Sequence, residues 1–229
     1  YAHVDVEDAD IIVALGGDGF MLQTQFRYLD SGKPVYGMNK GTVGFLMNRY
    51  LEDDLPARIA AATSERIHPL QMIATDADGQ EHRAMAFNEV SLFRQSHQAA
   101  RLHIAIDGVT RMDGLVCDGL MVATPQGSTA YNLSAFGPIL PLRAPLLALT
   151  PVSPFRPRAW RGALLPNTSR VRIETQEAAK RPVNAVADNT EIKSAVSVDI
   201  FEDRDAVGLV MFDPEHTWEE RILDEQFRN

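Results

Sequence analysis

The stretch IIVALGGDGF at residues 11–20 constrains the fold of this chain more than any other part of its sequence. A short apolar run that ends in glycine is typical of a parallel β-strand buried on both faces. Apolar positions between residues 20 and 29 indicate a helix, and the polar residues at 30–32 mark its end. The stretch therefore predicts a strand and a helix joined by a glycine turn, and this turn carries one ionisable side chain, Asp18.

The same order repeats further along the chain. A second strand is predicted at residues 34–38, and the segment DDLPARIAAAT predicts a helix with Pro56 in its first turn. Alternating strands and helices are typical of an α/β domain, which binds ligands at the carboxyl ends of its strands. The GGDG turn lies at such an end.

From about residue 66 the pattern changes to alternating apolar and polar residues, which is typical of β-strands. This alternation covers residues 72–75, 84–93 and 102–106, and it returns between residues 171 and 200. The Asp-Gly pairs that begin at Asp107 and Asp113 predict hairpin turns, and Asp118 begins a third such pair. We therefore expect a second, β-rich domain that ends near residue 203.

The final segment, DPEHTWEERILDEQF, predicts an amphipathic helix. Asp213 is the expected N-cap and Pro214 the first helical residue, with Trp218, Ile222 and Leu223 on one face. We expect this helix to pack on the first domain. The predicted organisation is an α/β domain at residues 1–66, a β-rich domain at 67–203 and a C-terminal segment at 204–229.

Charge and cysteine content narrow the function. The formal net charge of −9 argues against nucleic-acid binding as the main task, whereas an anionic small molecule stays possible because local groups outweigh a distant charge. Cys117 is the only cysteine, which excludes an intrachain disulfide and fits a reducing cytoplasm. The sequence has no signal peptide and no apolar run of membrane length, so we expect a cytoplasmic protein without a membrane partner.

The GGDG turn is the first candidate site. Glycines at 16, 17 and 19 allow positive φ and a close approach of the backbone, so their amides can bind phosphate ahead of a helix. Asp18 would repel phosphate unless it contacts a metal or removes a proton from an attacking hydroxyl. The alternative is a tight turn in which Asp18 serves only as the helix N-cap.

Two further stretches carry polar groups in apolar surroundings. In FNEV, Asn88 and Glu89 place an amide and a carboxylate side by side in a predicted strand, which suits a nucleoside; the alternative is an edge strand facing water. The segment at 118–140, DGLMVATPQGSTAYNLSAFGPIL, offers many neutral donors and acceptors. The alternative interpretation of this segment is a structural turn that caps a helix and binds no ligand. The six histidines are scattered and predict no metal site.

Taken in order, GGDGFML, GTVGFL, FNEV, DGLMVATPQGSTAYNLS and LTPVSPFRPRAW resemble the bacterial NAD kinases over nearly the whole chain. GGDG alone also occurs in kinases of the diacylglycerol type, but the Asn-Glu pair together with Gly-Ser-Thr-Ala-Tyr is more specific. The resemblance implies an α/β domain beside a β-sandwich domain that binds the dinucleotide, and a homodimer or homotetramer. It implies NAD and ATP as substrates. Because the sequence shows no cluster of metal-ligating residues, we expect Mg²⁺ to arrive with the nucleotide.

The resemblance also implies roles for individual residues. Asp18 would be the general base on the 2′-hydroxyl of the adenosine ribose of NAD, with Gly16, Gly17 and Gly19 shaping its turn. Phe45 would pack against a base, Asn88 and Glu89 would contact the dinucleotide, and Asp118 would lie near the nicotinamide. The expected wall around the adenine and the riboses consists of Thr129, Ala130, Tyr131, Asn132 and Ser134.

Two positions depart from the pattern of the relatives. Gln126 stands where many relatives have threonine, and we expect this change to be tolerated. Asp188, also expected at the dinucleotide, lies in VADNTEI where relatives often carry Asp-Gly, so we expect Asn189 to take the left-handed conformation. Two other functions stay open at this point: a lipid kinase of the diacylglycerol type, and a non-catalytic sensor that binds NADP.

Overall fold

The computed structural model describes residues 4–41, 44–158, 160–215 and 217–227. Thr42 and Val43 of GTVGFL, Ala159 of LTPVSPFRPRAW, and two histidines, His3 and His216, lie outside the described residues. The chain forms two compact units, one from Tyr1–His68 with Arg204–Asn229 and one from Pro69–Asp203. The sequence places the corresponding boundaries after residues 66 and 203.

The elements alternate between strand and helix at first and then become almost entirely strands. The helices are α1 (Asp18–Tyr28), α2 (Leu55–Ala61), α3 (Tyr131–Ser134) and α4 (Trp218–Gln226). The strands are β1 (Ile12–Gly16), β2 (Val35–Asn39), β3 (Asn48–Arg49), β4 (Thr63–Ile67), β5 (Leu70–Asp76), β6 (Glu81–Ala86), β7 (Glu89–Arg94), β8 (Ala100–Ile106), β9 (Val109–Cys117), β10 (Gly119–Ala123), β11 (Leu146–Val152), β12 (Ala163–Pro166), β13 (Val171–Thr175), β14 (Val183–Ala187), β15 (Thr190–Ile192), β16 (Ala195–Glu202) and β17 (Gly208–Phe212).

The first unit is an α/β domain around one sheet. Its strands follow the order β1-β2-β17-β4, and β3 also pairs with β2. Strands β1 and β17 both run parallel to β2, whereas β4 is antiparallel to β17. The predicted burial on both faces is wrong for β1, where Val13 is 39 % and Leu15 47 % exposed. The reason is that β1 lies at the edge of this sheet.

The second unit consists of two antiparallel sheets, with strand orders β12-β11-β10-β7-β14-β15 and β6-β5-β16-β13-β8-β9. Alternate residues of both sheets form one core, which includes Leu70, Leu92, Leu120, Ile173 and Val198. The unit is therefore a β-sandwich domain, as the resemblance implies.

The predicted strand at residues 84–93 is wrong in one respect, because the chain bends at Phe87 and Asn88. Strand β6 before this bend and strand β7 after it belong to different sheets. The apolar pattern continues across the bend because both sheets contribute to the same core. The Asn-Glu pair thus lies where the chain passes from one sheet to the other.

The Asp-Gly pairs have three different outcomes. Asp107 and Gly108 form the predicted hairpin turn between β8 and β9, with φ of 52° and 76°. The turn predicted at Asp113 is wrong: Gly114 has a φ of 114° inside β9, where the register with β8 shifts at a bulge. Asp118 forms no hairpin either, because it joins β9 of one sheet to β10 of the other.

The C-terminal helix belongs to the α/β unit, as expected, but it begins later than predicted. Asp213 and Pro214 precede α4, so Asp213 is not its N-cap; instead the Asp213 carboxylate accepts a hydrogen bond of 2.6 Å from the Tyr36 hydroxyl. Trp218 and Ile222 are buried, whereas Leu223 is exposed. No helix within the described residues is long and apolar enough to cross a membrane.

Candidate functional site

Asp18 is the first residue of α1, and Gly17 takes the N-cap position in extended backbone. Its carboxylate turns towards the loop after β2: Oδ2 accepts the Phe45 N–H at 2.7 Å and Oδ1 accepts the Leu46 N–H at 3.0 Å. The N-cap alternative for Asp18 is therefore wrong. Two backbone amides instead fix the direction of its carboxylate.

The glycines of the turn differ from expectation, because Gly16, Gly17 and Gly19 do not have positive φ. A Cβ atom on Gly17 or Gly19 would meet nothing within 4 Å, whereas one on Gly16 would lie 2.8 Å from the Phe20 Cβ. The glycine that Asp18 requires is Gly44, where a Cβ would lie 2.4 Å from the Asp18 Oδ1. Gly44 belongs to the GTVGFL motif, but nothing in the sequence marks it as a neighbour of Asp18.

The loop that receives Asp18 is held on its other side by the C-terminal helix. The Arg221 guanidinium donates to the carbonyl oxygens of Phe45 at 2.6 Å and Met47 at 2.7 Å, and to the Asn48 Oδ1 at 3.0 Å. Burial lowers the pKa of Arg221 to about 10, and the charge of Asp18 acts in the opposite direction. Sequence reasoning missed Arg221, since a polar residue on a predicted surface helix gives no signal of a partner far along the chain.

Phe45 lies in the same loop and is partly buried. Its ring centroid is 6.3 Å from that of Trp218 on α4. Within the α/β unit, the C-terminal helix therefore contacts both the backbone of the loop and the aromatic ring expected to meet a base. The role of Phe45 towards a base stays a prediction.

In the β-sandwich unit, the bend at Phe87 and Asn88 meets the Asp188 carboxylate. Its Oδ2 accepts the Phe87 N–H at 2.7 Å, and its Oδ1 accepts the N–H groups of Asn88 and Glu89, each at 3.1 Å. Asp188 itself has a φ of 47°, so the left-handed residue is Asp188 and not Asn189 as predicted. The structure thus brings Asn88, Glu89 and Asp188 together.

Glu89 lies in an interior strand, since β7 pairs with both β10 and β14. The alternative of an edge strand facing water is therefore wrong. Burial, and secondarily the charge of Asp188, raise the pKa of Glu89 to about 8. Burial also raises the pKa of Asp188 to about 6, against the three amides that stabilise its anion. Within the described residues the Glu89 Oε2 is buried without a hydrogen-bond partner.

The TPQGSTAYNLS segment divides into internal and outward side chains. Asn132 is fully buried: its Nδ2 donates to the Ser128 and Pro138 carbonyls, and its Oδ1 accepts from the Thr150 hydroxyl at 2.6 Å. Its polar atoms thus serve the fold, as the turn-capping alternative proposes for the segment. Four other members of the expected wall stay partly or fully accessible: Thr129, Ala130, Tyr131 and Ser134.

Three contacts connect these motifs within the sandwich. The ring of Tyr131 lies 5.6 Å from that of Phe93, measured between centroids. Asp118 is paired with Arg94, with 2.6 Å between the Asp118 Oδ1 and the Arg94 Nε. Gln126 is buried, and its Nε2 donates to the Asn88 Oδ1 at 3.3 Å. The departure at Gln126 therefore touches a motif residue directly.

Within the described residues, no three His, Cys, Asp or Glu side chains come together as a metal cage. Asp18 is the carboxylate of the α/β site, and each of its oxygens keeps a further acceptor position beside its amide bond. This donor set fits Mg²⁺ that arrives with a nucleotide, because such Mg²⁺ is held by one or two carboxylates together with phosphates and water.

Both units match a known family. Residues 2–63 match the ATP-NAD kinase N-terminal domain, and residues 87–205 match the ATP-NAD kinase C-terminal domain. The NAD kinases of Brucella suis and Rhizobium meliloti are each 62 % identical over 229 residues, which is 100 % of this chain and 89 % of theirs.

Solved structures agree with this match. Yeast NADH kinase complexed with NADH superposes with a TM-score of 0.85 at 26 % identity, over 96 % of this chain and 67 % of that one. An NAD kinase from Archaeoglobus fulgidus in complex with ATP has the same fold, with a TM-score of 0.79 at 23 % identity over 97 % of this chain and 85 % of that one. The α/β unit with its Asp18 turn and the β-sandwich unit with its Asn-Glu bend have the fold of kinases that phosphorylate dinucleotides. The chain belongs to the ATP-NAD kinase family.

Proposed function

We infer that this chain is an NAD kinase, which transfers a phosphoryl group from ATP to NAD and forms NADP. The observation that carries this inference is the identity of 62 % to curated NAD kinases over all 229 residues. The motifs that separate NAD kinases from lipid kinases, FNEV and GSTAY, are present and clustered in the β-sandwich unit. The GGDG carboxylate has a fixed orientation, which favours a catalyst over a sensor.

Asp18 is the proposed general base. A ribose hydroxyl is a weak nucleophile at neutral pH, and a positioned carboxylate can accept its proton during phosphoryl transfer. The amides of Phe45 and Leu46 hold the Asp18 carboxylate in one orientation and leave a lone pair on each oxygen for the 2′-hydroxyl of the adenosine ribose. The proton therefore moves from this hydroxyl to Asp18 as the new phosphate ester forms.

Magnesium belongs to the same proposal. When bound with ATP, Mg²⁺ neutralises charge on the donor phosphates. Asp18 is the residue of the α/β unit that would face it, and the protein need not supply further ligands.

The β-sandwich unit is the proposed site for the dinucleotide. Asn88 offers an amide, and Glu89 has a pKa raised to about 8, so that near neutral pH it is mainly a neutral carboxylic acid that can donate a hydrogen bond to a ribose oxygen. A neutral Glu89 also avoids repulsion by the pyrophosphate. Asp118, Thr129, Ala130, Tyr131 and Ser134 complete the proposed contacts of this unit. Phe45, in the α/β unit, is separately proposed to pack against a base.

Timed formation of NADP is the direct test of the function. Purified protein is incubated with Mg²⁺ and with NAD or NADH, and with ATP, another nucleoside triphosphate or polyphosphate as donor, beside a diacylglycerol panel. We expect NADP from NAD and ATP and no phosphorylated lipid. Binding of NADP without any turnover would establish the sensor instead, and lipid phosphorylation without NADP would establish the lipid kinase.

Assembly and location are also proposed from the family. We expect a homodimer or homotetramer, to be measured by light scattering coupled to gel filtration. We expect the enzyme in the cytoplasm, which suits the single buried thiol of Cys117. Fractionation of the cells that produce it, followed by the NADP assay on each fraction, tests the location.

A further inference from the structure

We propose that Thr124 and Asp188 are positioning residues, which hold the bend carrying Asn88 and Glu89 without contacting the dinucleotide themselves. The inference rests on the proposed function, because it assigns these two residues to the dinucleotide site of that enzyme. It replaces the direct contact expected for Asp188 and adds a residue, Thr124, to which sequence reasoning gave no role.

The N–H groups of the bend all face one carboxylate. The N–H groups of Phe87, Asn88 and Glu89 donate to Asp188 over distances of 2.7 to 3.1 Å. The N–H of Asp188 donates in turn to the Glu89 carbonyl at 3.2 Å. Since β14 pairs with β7 as far as Ala187 and Val90, Asp188, the residue that follows β14, lies directly beside the bend. The carboxylate is thus already surrounded by protein donors.

The carbonyl groups of the bend face Thr124. Its hydroxyl donates to the Phe87 carbonyl at 2.5 Å, and its N–H donates to the Asn88 carbonyl at 2.9 Å. The Thr124 hydroxyl also accepts the Gly127 N–H at 3.0 Å. Thr124 is only 2 % exposed, so a dinucleotide cannot reach it without displacing the bend.

The residues that pack against this bend leave it little space. A Cβ atom on Gly127 would lie 2.0 Å from the Asn88 carbonyl oxygen. Asp188 keeps a φ of 47°, a conformation that L-residues adopt at a cost, although asparagine or glycine would adopt it more readily. The carboxylate explains why this position carries aspartate, because both of its oxygens accept hydrogen bonds. An asparagine amide would turn an N–H donor towards the N–H groups of the bend.

Four variants test the inference. Thr124→Val removes the hydroxyl at equal volume, Thr124→Ser keeps it, and Asp188→Asn keeps one acceptor oxygen. The control Asp107→Asn changes an aspartate that also has positive φ, 52°, and also accepts a backbone N–H, that of Arg170 at 2.8 Å, but lies in a hairpin turn. Steady-state kinetics give kcat and KM for NAD, and calorimetry gives the Kd for NADP in the absence of turnover.

We expect Thr124→Val and Asp188→Asn to raise the KM for NAD and the Kd for NADP about tenfold or more, with kcat changed less than about threefold. Thr124→Ser and Asp107→Asn should resemble wild type in all three. A merely structural role would lower the amount of folded enzyme without changing the KM of the remainder. Should Asp188→Asn fail to fold, the Thr124 pair decides the question.

The two possible failures are distinguishable. If the wild type makes no NADP but binds it, the proposed activity fails, and the Kd series alone decides the positioning roles. If the wild type is active and folded Thr124→Val keeps a wild-type KM and Kd, the positioning inference is overturned while the activity stands. A decrease in kcat alone, with unchanged KM and Kd, also overturns it.

Discussion

Asp18 shows how a single carboxylate becomes directional. An isolated aspartate rotates freely, but here one oxygen accepts the Phe45 N–H and the other accepts the Leu46 N–H. The approach of these amides depends on the missing Cβ of Gly44. A fixed position is thus what the structure supplies to the proposed base.

Asp18→Asn should leave folding and NAD binding intact and lower kcat by about 10²–10⁴, because the amide cannot accept the ribose proton. The measurement is NADP formation at saturating NAD, with circular dichroism and NAD calorimetry as checks on fold and binding. The exposed Asp30, near the end of the same helical stretch, gives the matched control Asp30→Asn. Turnover like that of wild type in folded Asp18→Asn would remove Asp18 from the mechanism.

Glu89 makes stability depend on pH. Its pKa rises from 4.5 to about 8, so the folded state binds more protons than the unfolded state between these values. The free energy of unfolding therefore falls as pH rises through this window, and Glu89→Gln removes that contribution. We therefore expect the free energy of unfolding of the variant, relative to that of wild type, to increase as the pH is raised from about 5 to about 8.

Urea unfolding of both proteins at the two pH values, without nucleotide, measures this change. Asp188 is present in both proteins, so its own titration largely cancels in the comparison. Glu81→Gln, an exposed glutamate on β6, should show no such relative gain. A stability difference between wild type and Glu89→Gln that stays constant with pH would contradict the expectation.

At the scale of elements, α4 acts on the loop that holds Asp18 through Arg221, although it contributes no predicted site residue. Its guanidinium satisfies two carbonyl oxygens of the loop whose amides hold Asp18. The loop is thereby bound on both sides of its backbone, by an anion from α1 and by a cation from α4.

Arg221→Met should therefore lower kcat by about 10²-fold, since small displacements of a reacting group have effects of this size. Arg221→Lys should retain more activity, because one ammonium group can still reach a carbonyl. The control is Arg27→Met, at an exposed arginine of α1. Folded Arg221→Met with the kcat of wild type would show that the loop holds Asp18 unaided.

Regular elements were predictable because their signals are local. An element boundary is indicated by residues that lie within a few positions of it. Examples are the glycine after β1, Pro56 at the start of α2 and the Asp107-Gly108 turn. The change of sheet at Phe87 and Asn88 was not predictable, because both sheets require the same apolar alternation. The start of α4 was misplaced because Asp213 looks like an N-cap, whereas its partner is Tyr36, 177 positions away in the chain.

The candidate site was predicted in part for the same reason. Motif residues such as Asp18, Asn88 and Glu89 could be singled out from their neighbours in the sequence. The residues that hold them, Arg221 and Thr124, look ordinary in sequence and gain their roles only from partners brought close by folding.

At the scale of the whole molecule, the two units differ in how the chain builds them. The β-sandwich is continuous over Pro69–Asp203, with a core of its own. The α/β unit is assembled from both ends of the chain, and β17 lies in its sheet between β2 and β4. Removal of the C-terminal segment thus takes away an interior strand.

We expect a fragment of residues 69–203 to fold alone and residues 1–68 alone to stay unfolded. Circular dichroism and thermal unfolding of the two fragments measure this, and a cooperative transition in the sandwich fragment is the expected result. Linking residues 1–68 to residues 204–229 through a flexible linker is the control, and it should restore a folded sheet. A cooperative transition in residues 1–68 alone would refute the dependence on β17.

The position of β17 also bears on how the protein emerges from the ribosome. Its sandwich is fully synthesised while the last part of the chain is still being translated, so this unit can fold first. The sheet that carries Asp18 must wait for β17, which lies near the end of the chain. A translation product truncated ahead of Gly208 therefore has the β-sandwich residues proposed to bind the dinucleotide but lacks a completed sheet around the proposed general base.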